Sequence, residues 1–154
     1  MNEPVIESLN GLIATELVAV NQYFVHAKMC QHWGFEKLAT HLRDDSIDEM
    51  RDVEAYMDRV LLLGGLPNLQ RLDAFQVGEN VREVFELGIH LEEGAVKQLR
   101  AAVRLAEESG DVGTSELLSP RMPEEEAQLD WLRTQVKLLD QLGEPIYLAS
   151  QVGE

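Results

Sequence analysis

Carboxylates placed where a helix should be apolar are the feature of this sequence best able to do chemistry. The stretch Asp44-Asp45-Ser46-Ile47-Asp48-Glu49-Met50-Arg51-Asp52 lies inside a helix predicted over about Phe35 to Leu63. The apolar stripe of that helix runs Leu38, Leu42, then Tyr56, Val60 and Leu63, at the three- and four-residue steps of one face. Continuing those steps through the gap lands on Asp45, Glu49 and Asp52. An ionised carboxylate buried without a partner protonates, pairs or binds a metal. Asp44 and Asp48 fall off the stripe, where they form a solvated face or gather cations at the surface.

Three further segments repeat the pattern. The first helix, from near Pro4 to about Trp33, has the inner row Leu9, Ile13, Glu16, Val20, Tyr23 and Ala27. The third, capped by Asn80 with Glu83 and ending near Ser109-Gly110, has Val84, Gly88, Glu92, Ala95, Leu99 and Ala102. The last long segment has Glu125, Gln128, Leu132, Val136 and Leu139. Each row carries acid among apolar neighbours. Glu49 and Asp52 are three apart, as are Glu125 and Gln128, so each pair shares a helix face and can point at one centre. The chemistry implied is cation binding by hard oxygen donors.

Composition agrees with that direction. The 154 residues carry 28 Asp and Glu against 13 Lys and Arg, a formal net charge of −15. Such a surface disfavours nucleic acid and anionic membrane and favours cations. The chain is long enough for one domain, read as residues 1–154, with a real core. A single cysteine, Cys30, excludes an internal disulfide or a cysteine-built cluster and reads as a small core or interface hydrophobe. The sequence has neither a run long enough to span a membrane nor a signal-peptide pattern, so a cytoplasmic protein is expected.

These rows need elements to position them. Gly34 separates the first two helices so closely that they must be antiparallel neighbours. From Leu66 to Gly78 no helical period exists, and a connection of that length can cross along the outside of a bundle. The fourth helix should be irregular. Glu116-Leu117-Leu118 reads as helical, but Pro120 and Pro123 predict a break, with Pro123 opening a fresh helix. A short fifth helix follows Gly143-Glu144-Pro145. The expected fold is all-α: a four-helix bundle with one long crossover and a short C-terminal helix.

Glu-Leu-x-Ala-x-Asn-Gln-Tyr-Phe (Glu16 to Phe24), Ser-Ile-Asp-Glu-Met (Ser46 to Met50), Gly-Leu-Pro-Asn-Leu (Gly65 to Leu69) and Leu-Asp-Trp-Leu (Leu129 to Leu132) make the chain resemble the bacterioferritins over nearly its whole length. The resemblance implies a ferritin-like bundle and an iron-storage cage of twenty-four subunits built from twofold pairs. It implies a di-iron ferroxidase site with Glu16, Glu49, Glu92 and Glu125 as carboxylate ligands, and haem b shared between two subunits through Met50 of each. Tyr23 and Trp131 match aromatic positions near that site. The di-iron pattern of such bundles is a Glu from each of two helices and Glu-x-x-His from each of the other two. Here Asp52 and Gln128 stand where the histidines belong.

That departure makes the metal set Glu16, Glu49, Asp52, Glu92, Glu125 and Gln128, and leaves no residue assignable as catalytic. Gln128 either coordinates through its oxygen or hydrogen-bonds a carboxylate. The five carboxylates cannot all stay ionised at short range without cations. His26, His32, His41 and His90 are read as surface or capping residues, none placed to restore the lost ligands. Met50 follows Glu49 by one residue and so projects about 100° round the helix, away from the interior; it ligates haem or fills a subunit interface. The function expected is a haem-binding storage subunit with weak or absent ferroxidase activity of its own, in a homo-oligomeric cage or one mixed with a ferroxidase-competent subunit. A fully active carboxylate-rich ferroxidase and a non-enzymatic cage without haem are the alternatives.

Overall fold

Glycines decide where the first two long helices stop. Gly34 takes φ +94°, a left-handed conformation natural to glycine, and the Phe35 N–H then bonds back to the Cys30 carbonyl at 2.9 Å. Gly64, at φ +86°, ends the second helix similarly, with the Gly65 N–H on the Val60 carbonyl at 2.9 Å. In the computed structural model, which describes residues 2–153, the elements are α1 (Glu3–His32), α2 (Glu36–Leu62), α3 (Val81–Glu108), α4 (Val112–Leu118), α5 (Arg121–Leu142) and α6 (Glu144–Ser150). No strand occurs among the described residues. The architecture is the expected all-α bundle: α1 pairs with α2 and α3 with α5, α1 packs on α3, and the Leu66–Gly78 segment crosses between the two hairpins.

Two apolar clusters hold the bundle, one at each end. One gathers Val5, Leu9, Ile13, Val53, Tyr56, Val60, Leu99 and Leu118. The other gathers Ala19, Tyr23, Leu38, Leu42, Phe85, Leu132, Leu139 and Tyr147. Each buried large side chain contributes about 1.5–3 kcal/mol. The third helix buries the row predicted for it, Val84, Gly88, Glu92, Ala95, Leu99 and Ala102. Gly88 marks a close approach, since a Cβ there would lie 3.1 Å from the Leu132 side chain of α5. Cys30 is fully buried in the apolar cluster, as expected of a small hydrophobe.

α5 turns inward the face expected of it, although burial is shared out differently along that face. Its buried face is Glu125, Leu129, Leu132, Gln135 and Leu139, while Gln128 and Val136 are only half-buried. The proline break is real but falls earlier. α4 ends at Leu118, Pro120 takes the N-cap of α5, and Pro123 sits within the first turn, where a missing N–H leaves no helical bond unmade. α4 itself is fastened to α2. Asp111 caps it by accepting the Thr114 N–H at 3.0 Å and binds Arg59 Nη2 at 2.7 Å, while Arg59 Nε donates to Thr114 Oγ1 at 2.9 Å.

His26 also departs from its reading as a surface or capping residue. It is 1% exposed, and its Nε2 accepts the Gly78 N–H at 3.0 Å. The crossover is thus pinned to α1 at both ends, since Asn10 accepts the Asn68 N–H at 2.9 Å and donates to the Leu66 carbonyl at 3.1 Å. Only a neutral imidazole can accept that bond, and burial holds the His26 pKa down to about 4 from 6.5. As pH falls below 6.5 the unfolded chain takes up a proton that the native imidazole refuses. The stabilisation by His26 is therefore complete above pH 6.5 and is lost on acidification towards about 4. His26→Leu should lower stability at neutral pH by about 1–3 kcal/mol and flatten that acid-side decline, both read by urea unfolding at stepped pH.

Candidate metal centre

Between the two apolar clusters the core is interrupted at one level by four glutamates, one from each long helix. Glu16 of α1 is 4% exposed, Glu49 of α2 7%, Glu92 of α3 1% and Glu125 of α5 5%. The Oε2 atom of every one is buried without a hydrogen-bond partner among the described residues. Buried polar atoms in native proteins are nearly always satisfied, so four orphaned carboxylate oxygens at one level mark a place built for something positive. One oxygen each from Glu16, Glu49, Asp52 and Glu125 lies within 4.8 Å of the others, the spacing of ligands that could share an ion.

Glu92 borders this group and is partly satisfied by the chain. Tyr23 Oη donates to its Oε1 at 2.5 Å. The phenol is fully buried, and burial followed by the Glu92 charge pushes its pKa well above 10, so it stays a donor. Asp52 is half-buried, with Arg121 Nε on its Oδ1 at 3.0 Å. Arg121 is itself fixed by donating to the Leu117 carbonyl at 2.5 Å and by lying over the Tyr56 ring at 5.4 Å. Gln128 is held by neighbours other than the glutamates: its Nε2 donates to Asp45 Oδ2 at 2.6 Å, and its Oε1 stands 3.5 Å from His41 Nε2.

Electrostatics follow from burial of like charges. Burial, then the neighbouring charge of Glu125, raises the Glu49 pKa well above 4.5. Burial likewise raises Glu92 and Glu125, and a hydrogen bond between the two carboxyls raises Glu125 further while easing Glu92. Burial lifts Asp52 as well, against the opposing pull of Arg121. Burial pulls His41 down, but bonding to Asp45 outweighs it and leaves the imidazole above its ordinary value.

Access to the group is by a cleft of about 610 Å³ between α2 and α5, lined by His41, Asp48, Glu49, Asp52, Glu124 and Trp131 among others. His41 was not expected here. It is half-buried, 3.2 Å from Asp45 and stacked on Trp131 with ring centroids 3.6 Å apart. Its i, i+4 spacing to Asp45 was visible in the sequence, but its contact with α5 was not. Arg121 was also missed; only a cation needed by the crowded acids could have hinted at it. His32 and His90 are exposed, as expected. Met50 is 43% exposed on the outer side of α2, with exposed Ile47 one turn before it.

Residues 6–142 match the family profile described as Ferritin-like domain. The chain is 44% identical over 148 residues to bacterioferritin of Mycobacterium avium, covering 96% of this chain and 93% of that one. The chain belongs to the bacterioferritin family. It is likewise 42% identical to bacterioferritin BfrA of Mycobacterium tuberculosis, with the same coverage. Identity to the bacterioferritin of Rhodobacter capsulatus is 39% over 139 residues, covering 90% and 86% of the two chains. Among its described residues this bacterioferritin has no helix long and apolar enough to cross a membrane.

Metal-free, this bacterioferritin carries its glutamate group as a burden. A carboxyl whose folded pKa is raised binds more protons folded than unfolded, so stability falls as pH rises above the ordinary value near 4.5. Glu125→Gln, which keeps the shape without the charge, should stabilise the metal-free protein at pH 8 by about 1–3 kcal/mol. Thermal unfolding in chelator reads this out, and equal melting of variant and wild type would count against an unbalanced charge at Glu125.

Proposed function

We propose that this chain is an iron-storage subunit that assembles with copies of itself, or with a ferroxidase-competent relative, into a twenty-four-subunit cage built from twofold pairs. One observation carries the reading: four glutamates from four helices converge in the core, each with a buried oxygen that nothing else satisfies. Iron is the cargo. Ferrous ion would enter by the α2/α5 cleft and meet Glu16, Glu49, Asp52, Glu92 and Glu125, with Gln128 at the edge. Oxidation there transfers one electron from each ferrous ion to dioxygen or peroxide, and the ferric product passes to the cavity. Loss of both expected histidines, with Asp52 held by Arg121 and Gln128 by Asp45, makes that oxidation slow in this chain alone.

Haem b is the second part of the proposal. The side chain at Met50 suits a thioether ligand to haem: it is solvent-accessible, and Arg43, Ile47 and Met50 share one outer face of α2 with Phe24 of α1 beside Arg43. Met50 of each of two paired subunits would hold the haem, which would supply electron transfer when bound. The cytoplasm is the proposed location.

A second reading, that the carboxylate set alone supports full ferroxidase activity, is favoured by the tight Glu16–Glu49–Asp52–Glu125 grouping. The test is aerobic ferrous oxidation by wild type against the double variant Asp52→His with Gln128→His. The proposal expects the variant to be about tenfold faster or more, each tenfold being about 1.4 kcal/mol of barrier. Equal rates would favour the second reading. For haem, the purified chain should show a Soret band that Met50→Leu abolishes while helix content stays the same.

A further inference from the structure

We propose that the centre is asymmetric and holds one divalent cation, at the Glu16–Glu49–Asp52–Glu125 end, while the Glu92–Gln128 end is closed by the chain's own hydrogen bonds. The inference deepens the metal-centre reading given above and rests on it.

The first end has the makings of a single coordination sphere. Oxygen ligands at the usual 2.0–2.6 Å from a divalent ion stand up to about 4–5 Å apart across it. Ligand oxygens of Glu16, Glu49, Asp52 and Glu125 all fall within 4.8 Å of one another. Three of them belong to side chains 4%, 7% and 5% exposed, each with an unpartnered buried oxygen. Asp52 contributes differently. Arg121 takes its Oδ1 at 3.0 Å, leaving the second oxygen free. Arg121 cannot easily swing away, because the Leu117 carbonyl and the Tyr56 ring hold it. It therefore fixes the orientation of Asp52 and offsets one negative charge beside the ion.

The other end lacks a free set of ligands. Glu92 has one oxygen bound by Tyr23 at 2.5 Å, which leaves a single oxygen for any ion. Gln128 is engaged at both ends of its amide, by Asp45 at 2.6 Å and beside His41 at 3.5 Å. To ligate, the amide would have to break its bond to Asp45 and rotate past an imidazole wedged against Trp131. A neutral amide oxygen is a weak return for that loss, since a bond to a carboxylate is worth more than one between neutral groups. The second position is left with Glu92 and whatever Glu49 and Glu125 can share.

Anaerobic titration with cobaltous ion tests this, read by its visible d–d absorption and by calorimetry in moderate salt. Wild type should take up one tightly held ion per subunit. Asp52→Asn should weaken that ion at least tenfold. Gln128→His, which places a nitrogen donor at the closed end, should raise the count to two. If Asp52→Asn does not assemble, Asp52→Glu replaces it and should shift the absorption band, because the charge is kept while the oxygens move. Two equivalent ions in wild type, or Asp52→Asn binding as tightly as wild type, would overturn the asymmetry and leave the metal centre standing. No cobalt uptake by either readout would overturn both.

Discussion

Four carboxylates at one level of a helical core are the constraint to which the rest of the bundle answers. Two unit charges about 4–5 Å apart repel by roughly 3–4 kcal/mol even at an effective dielectric constant near 20. Glu16, Glu49 and Glu125 reach that separation with Asp52 beside them. The polypeptide offsets the repulsion in three ways. Tyr23 donates to Glu92, Arg121 pairs with Asp52, and the raised pKa values let protons stand in for missing cations. Apolar clusters above and below the glutamates supply the stability that such a layer removes. Their separation is itself a consequence of the acids, which no apolar side chain can satisfy.

The irregular segments of the chain serve the same layer. The proline break between α4 and α5 looks like a defect in a bundle helix, yet it sets Arg121 at the first position of α5, one turn before Glu125. The Arg59–Asp111–Thr114 network fixes α4 on α2 and so fixes where the break occurs. At the far side of the molecule, His26 and Asn10 hold the crossover against α1, keeping the two hairpins in the relation that brings Glu16 and Glu49 to meet Glu92 and Glu125.

The four long helices, the long connection and the four glutamates were legible in the sequence because each is marked by local periodicity or its interruption. A lone acid in an apolar row at three- and four-residue steps is visible whatever surrounds it. Asp52 and Gln128 were legible only as positions. Their partners, Arg121, Asp45 and His41, are set by packing between α2 and α5, and no spacing within one helix reveals a contact across two. The inward face of α5 was legible too: burial centres on the expected row, with Leu129 and Gln135 flanking Gln128, Leu132 and Val136 on the same arc. His26 escaped because a histidine that accepts a backbone bond looks, in sequence, like any other.

The electrostatic sum at the centre explains how the bundle tolerates these unusual residues. An imidazole ligand is neutral, so an aspartate in its place would add a negative charge to an already crowded layer. Arg121, 3.0 Å away, cancels that charge as seen by the glutamates beyond it. Gln128 replaces one neutral group by another and spends its hydrogen bonds on Asp45. The net charge facing a bound cation is thus what it would be with two histidines, although both nitrogen donors are gone. A bundle built this way keeps its packing while its centre presents oxygen donors and a charge that attracts divalent ions.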